Sequence, residues 1–327
     1  MNIVIYFPPS PGCEHDGQII GSAIAPVLKE VDGKVDFVRA RAQTPRSELQ
    51  KHPTANLDVD CAFFMERILD HPALLKAKHR ILIPNPEWLD PQTHALASAC
   101  THIWHKSRFS MERLLPVFPR ALHAYLGFTS EDPGRLVYGY DSFVHLRGKL
   151  ATQRSTNSIF TYWRSRRSLP DLHVQFYSTK EEGIQYAGWL SDHNVHVRIG
   201  WLERQEQLEL AGKHGVHLCT SEVEGYGHYI NEARAMGALV ITTDGAPMNE
   251  LVDVNSGILV KPSAISSMHW GTRYLVTPDD LAPAIDQALS LSPQARRALG
   301  AAARERFLAE DQLFRRRACE LFVKLGQ

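Results

Sequence analysis

Residues 216–237 read VHLCTSEVEGYGHYINEARAMG, and local chemistry divides them into a strand, a glycine loop and a helix. The opening VHLC is short and apolar, as a buried strand requires. Gly225 and Gly227 free the backbone to approach a ligand, and the run from about residue 228 to 236 is helical until Gly237 supplies a stop. The helix N-terminus then points at the loop, offering unpaired N–H groups and about half a positive charge, which suits a phosphate. Glu224 stands before the turn and Glu232 about one turn into the helix. One carboxylate can face the reacting end of a ligand while the other accepts hydrogen bonds from sugar or ribose hydroxyls. A plainer reading makes Glu224 a helix cap and Glu232 a surface residue.

Outward from this segment, short β-rich runs recur at residues 2–7, 35–39, 81–83, 142–146, 173–177, 195–199, 216–219 and 239–242, with helical stretches between them. That alternation predicts βαβ units and parallel sheets, the near-continuous apolar runs around Ile81 and Leu239 being strands covered on both faces. The 327-residue length predicts two domains. Residues 129–139, TSEDPGRLVYG, interrupt any period and mark the boundary. The domains expected are 1–135 and 136–303, both Rossmann-like, with a last helix at about 304–327 packing on the first. Ser292-Pro293 suits an N-cap followed by Pro at N1 of the helices that end the chain.

Acidic and basic residues balance at 36 each, so no net field draws the chain to nucleic acid or an anionic membrane. RSRR at 164–167 reads as a solvated helix end. Five scattered cysteines with no CxxC pair argue against a disulfide framework or zinc ribbon and predict reduced, mostly buried thiols. MNIVIYFPP lacks a signal-peptide pattern and no run reaches a membrane span, so the expectation is a cytoplasmic protein without an integral membrane segment. The pairs His102/His105 and His193/His196 resemble metal ligands, but neither completes a four-ligand set, and no metal site is expected.

The run E-G-Y-G-x-x-x-x-E-A at 224–233 resembles the E-x7-E signature of retaining glycosyltransferases of family four, a GT-B family. GKLATQRS at 148–155 resembles its G-R-L-x-x-x-K-G, with the basic residues Lys149 and Arg154 exchanged in identity and Ser155 in place of the last glycine. RIGWL at 198–202 is similar to its F-L-G-x-V segment. DGAPMNE at 244–250 and GILV at 257–260 resemble its glycine-proline-glutamate loop and a G-x-L-V strand. The resemblance implies an α/β GT-B fold: two facing Rossmann-like, doubly wound parallel-sheet domains with a C-terminal helix crossing back to the first.

It also implies roles. The donor, a nucleotide-diphosphate sugar, would be bound by Lys149, Arg154, Trp201, Leu202, Gly225, Tyr226, Gly227, His228, Tyr229 and Glu232. Two cations and a helix terminus would neutralise the leaving diphosphate without a metal or other cofactor. Glu224 would orient the sugar and support developing positive charge, and Glu232 would fix the ribose. Trp201 either stacks on the base or packs in the core.

In the N-terminal half the resemblance implies an acceptor-side glycine loop, for which residues 11–18 (PGCEHDGQ) stand, with Asp16 and Gly17 at the turn. A histidine of the family falls where this chain reads PNPEW at 84–88, so Asn85 or Glu87 would take its catalytic place, unless the segment is a purely structural turn. Lys106-Ser107 is either near the cleft or an exposed turn. The reaction implied is sugar transfer to a glycan, lipid-linked, protein or small-molecule acceptor hydroxyl with retention, in a possible homo-oligomer. The alternatives are a catalytically silent GT-B subunit that stabilises a partner and a GT-B nucleotide-sugar epimerase.

Overall fold

The computed structural model describes residues 1–39, 59–68, 77–148, 154–176 and 194–326. Two compact units emerge. One comprises Met1–Thr129, Ser267–Gly271 and Glu310–Gln327; the other comprises Ser130–Ser266 and Thr272–Ala309.

The first unit holds a six-stranded sheet of β1 (Asn2–Phe7), β2 (Lys34–Arg39), β3 (Cys61–Glu66), β4 (His79–Pro84), β5 (His102–His105) and β6 (Leu122–Tyr125), in the order β2-β1-β3-β4-β5-β6. Every neighbouring pair is parallel. The central strands are buried almost throughout, whereas the edge strand β2 is half exposed, which is why the inner strands read as unbroken apolar runs. One face of the sheet packs Tyr6, Phe64, Leu82 and Ile103 with Leu114 and Phe118 in a common core.

Helix α1 (Pro11–Glu30) begins four residues after β1. Residues 11–18 are therefore not a glycine loop. Pro11 takes the first helical position, where its missing N–H costs nothing, and Asp16 and Gly17 lie inside the helix. Gly17 sits where a Cβ would come 3.1 Å from an Ile5 methyl carbon, so its role is close helix-to-sheet packing. The chain continues through a 3-10 turn (Pro86–Trp88), α2 (Pro91–Ala97) and α3 (Arg108–Leu114).

The second unit holds β7 (Phe143–Gly148), β8 (Leu172–Phe176), β9 (Val195–Ile199), β10 (Val216–Cys219), β11 (Leu239–Thr243) and β12 (Gly257–Val260), in the order β12-β11-β10-β7-β8-β9, again all parallel. Its helices are α4 (Thr156–Ser165), α5 (Arg204–Lys213), α6 (His228–Met236), α7 (Met248–Leu251) and α8 (Pro278–Ser290), with the first part of α9 (Pro293–Leu325), whose residues from Glu310 onward belong to the first unit. Strands β13 (Ala264–Met268) and β14 (Gly271–Leu275) pair separately. α9 starts as the sequence predicts, with Pro293 at N1 and the Ser292 hydroxyl accepting from the Ala295 N–H at 3.2 Å. Arg164–Arg167 are exposed at the end of α4, and four of the five thiols are buried. Among the described residues no helix is long and apolar enough to cross a membrane.

Read from β7, the second sheet has the doubly wound order whose direction reverses between β7 and β10. In open α/β sheets the crevice at the carboxyl ends of the strands flanking such a reversal is where ligands bind.

Candidate functional site

The chain leaves β10 at Cys219 and enters α6 at His228, so the loop between them stands at this reversal. The loop is pinned from behind. The buried hydroxyls of Thr242 and Thr243 donate to the carbonyls of Cys219 (2.7 Å) and Ser221 (2.6 Å), and the Tyr274 N–H donates to Glu222 O at 2.7 Å. Gly227 takes the N-cap of α6 with φ 105° and Gly237 the C-cap with φ 79°, left-handed values that favour glycine. Glu224 is accordingly not the helix cap.

Glu224 instead ends a short chain of hydroxyls. Its Oε1 accepts from the Ser221 hydroxyl at 2.6 Å, and with that proton committed, Ser221 Oγ accepts from the Tyr229 hydroxyl, also at 2.6 Å. Burial pushes the Glu224 carboxyl above its usual range, opposed by the Arg154 charge, the Ser221 hydrogen bond and His228. The Arg154 guanidinium lies 3.6 Å from the Tyr229 ring centroid and donates to Leu146 O.

Arg154 reaches this place because of β7. Gly148 ends the strand at φ +69°, and a Cβ there would come within 2.9 Å of Arg154 Cζ. Ser155, where the resemblance implies glycine, keeps a left-handed backbone (φ 48°, ψ 28°) as the N-cap of α4. Buried His145 fixes the junction: its Nδ1–H donates to Leu218 O on β10 (2.8 Å), leaving Nε2 to accept from the Thr156 hydroxyl (2.9 Å).

Glu232 is mostly buried and is held by Arg204 through two hydrogen bonds, Nη2 to Oε1 at 2.9 Å and Nη1 to Oε2 at 3.2 Å. It is not a bare surface residue. Arg204 also reaches Glu131 at 3.2 Å. His228 Nδ1 pairs with the Ser130 hydroxyl at 2.8 Å. Trp201 follows Gly200 (φ 115°) at the carboxyl end of β9 and is 73% exposed, which removes the core-packing reading, while Leu202 is buried. Lys149 lies outside the described residues. A second carboxylate that sequence reading passed over, Glu222, is buried and takes both the Nε–H and an Nη2–H of Arg273, at 2.8 and 2.7 Å.

The first unit gathers its own polar cluster at strand carboxyl ends. Lys106, just after β5, is buried and donates to Asp16 of α1 and to Asn85 Oδ1 at 2.9 Å. It is thus not an exposed turn. Burial alone would lower its ammonium, but Asp16 and then Glu66 hold it raised. Cys13 Sγ donates to Glu66 Oε2 at 2.7 Å, and burial followed by Glu66 pushes that thiol up to about 12, so it is no nucleophile at neutral pH. Asn85 joins this network; Glu87, buried in the turn Pro86–Trp88, packs against Gly271. His102 and His105 have separate partners. His102 meets Thr101, whereas His105 lies between Ser110 (2.9 Å) and His123 (2.8 Å) and is lowered to about 3 by burial and then His123.

No family model matches the sequence, and no curated protein sequence matches it. Solved structures do. Sucrose-phosphate synthase from Thermosynechococcus elongatus matches with a TM-score of 0.74 at 14% identity, covering 100% of this chain and 99% of that one. A glycosyltransferase from Rickettsia africae matches with 0.72 at 13% identity over 100% and 98%. Anabaena HepE in complex with UDP-glucose matches with 0.70 at 13% identity over 99% and 100%. The fold is GT-B, with two parallel six-stranded sheets.

Proposed function

We propose that this chain transfers a sugar from a nucleotide-diphosphate sugar to an acceptor hydroxyl, with retention of anomeric configuration and without a metal. The observation that carries the reading is the arrangement of Glu224, Ser221, Tyr229 and Arg154 at the reversal between β7 and β10, where a carboxylate and a guanidinium sit beside a helix N-terminus. Its support from known proteins is the UDP-glucose complex of HepE, which shares the fold.

In this reading the C1–O bond to the diphosphate breaks as the acceptor oxygen bonds to C1, and the acceptor's proton passes to the departing diphosphate oxygen. Arg154, Lys149 and the amides of residues 225–229 neutralise the departing diphosphate. Glu224 faces the sugar and supports the positive charge that develops at C1. Arg204 fixes the Glu232 carboxylate, whose other lone pairs accept from the ribose hydroxyls. Trp201 stacks on the base beside Leu202. Asp16, Asn85 and Glu87 serve the acceptor side.

The test is a thermal-shift and calorimetric panel of nucleoside diphosphates and their sugars against wild type and Glu232→Ala, since a ligand of the native state raises its stability. One nucleotide sugar should stabilise wild type and act more weakly on the variant. Product analysis by NMR then reads anomeric configuration, and transfer should persist in EDTA well below the melting temperature. Donor binding without transfer or isomerisation would identify a silent subunit; an isomerised donor would identify an epimerase; no response to any nucleotide would remove the donor site.

A further inference from the structure

At the amino ends of β8 and β9, away from the carboxyl-end site, the sheet assembles a set of ligands from two separate stretches of the chain. His173 and His196 are register partners in the parallel β8–β9 pair, so their side chains leave the same face side by side. Asp171 stands two residues before His173, and the period of two places it on that face as well. The ligating atoms of Asp171, His173 and His196 all lie within 4.8 Å of one another. The His196 Nε2 is 3.5 Å from Asp171 Oδ1.

A second observation concerns the imidazoles. His214 stacks on His173 with ring centroids 3.7 Å apart, and His173 stacks on His196 at 4.6 Å. His214 is anchored through Nδ1 to the Ser142 hydroxyl at 2.7 Å. The three rings thus form one stack across the amino ends of β8, β9 and β10, which holds His173 in place between its neighbours.

We propose that Asp171, His173 and His196 bind one divalent transition-metal ion of the zinc type, stapling edge strand β9 to β8. Two imidazoles and a carboxylate suit zinc, nickel, cobalt or iron, whereas calcium and magnesium want oxygen donors. Tetrahedral zinc needs its donors about 3.4 Å apart. Asp171 and His196 are more than half exposed, so small side-chain rotations close that distance, and water fills the open position. Among the described residues β9 has a sheet neighbour on one side only, and a metal held by both strands adds binding free energy to their pairing. The ion belongs to the scaffold and takes no part in the proposed transfer.

Untagged protein stripped with a chelator and titrated calorimetrically with Zn²⁺ should take up one equivalent, and its melting temperature should rise with Zn²⁺ but not with Mg²⁺. His173→Ala and His196→Ala should each weaken binding by more than about tenfold, the lower end of what loss of even an outer-shell partner costs; His269→Ala, an exposed histidine elsewhere, should leave it unchanged. Co²⁺ added to wild type should give visible d–d bands saturating at one equivalent, a readout independent of any variant's folding. Absence of those bands, or Zn²⁺ binding as tight in His173→Ala and His196→Ala as in wild type, overturns the proposal.

Discussion

Arg204 grips Glu232 with two parallel hydrogen bonds of 2.9 and 3.2 Å, joining the start of α5 to the middle of α6 across 28 residues of sequence. A planar fork fixes a carboxylate in a way one ammonium cannot. Arg204→Ala should therefore weaken nucleoside diphosphate binding by about 1.5–3 kcal/mol, the range for hydrogen bonds to a charged group, and Arg204→Lys should recover part of it. Calorimetry with the diphosphate that stabilises wild type measures this. Unchanged affinity in Arg204→Ala would separate Arg204 from the ribose site.

Gly148 and Gly134 form a matched pair of probes. Both have left-handed backbones, φ +69° and +81°, but a Cβ at Gly148 meets Arg154 whereas at Gly134 nothing lies within 4 Å. Alanine at either should cost about 1–2 kcal/mol of stability for the backbone alone. Only Gly148→Ala should also displace the guanidinium and lower kcat/KM. Denaturant unfolding and kinetics on the two variants check both halves, and equal activity would show that Arg154 is not part of the machinery.

Burial raises the Glu224 carboxyl. A carboxyl raised on folding holds more protons native than unfolded between its two pKa values, so its contribution to stability falls as pH rises through that window. Glu224→Gln should melt higher than wild type near pH 7, with the gain disappearing towards pH 4, while transfer is lost. Melting curves at pH 7 and 4 read the sign. A variant less stable at pH 7 would mean that Arg154 and Ser221 outweigh burial.

Four buried histidines act in the opposite direction. Burial is the first cause that lowers His105 to about 3 and His145, His214 and His217 to about 4. In the unfolded chain each titrates near 6.5, so between those values the unfolded state binds more protons and stability falls as pH falls. Each contributes up to about 1.4 kcal/mol per pH unit. Urea midpoints should drop steeply from pH 6.5 to pH 4, and His145→Gln should flatten that slope. A flat profile would show that these rings protonate without unfolding.

Much of the fold was legible because its signals are local. Strands at 2–7, 195–199 and 216–219 coincide with β1, β9 and β10, and α6 begins and ends at the residues its glycines mark. The elements that escaped notice have weak local signals. CAFFM of β3 is a short unbroken apolar run that shows no strand period, β5 and β6 have four residues each, too few to show a period, and AISSM of β13 is largely exposed and does not alternate. Residues 11–18 stand for a glycine loop only through the family resemblance; in the fold they open α1, where Gly17 lets the helix approach Ile5.

By itself the sequence determined the alternation of strands and helices and the loop and helix that carry Glu224 and Glu232, because strand period, glycine conformation and helix spacing all act within about ten residues. Only the tertiary structure decided which partners those groups meet. Glu222 takes Arg273 from 51 residues away, Lys106 takes Asp16 from 90 residues away, and Asp171 and His173 meet His196 through the register of two parallel strands. Strand order and register set these meetings, and they arise from burial summed over whole sheets rather than from any local run of residues.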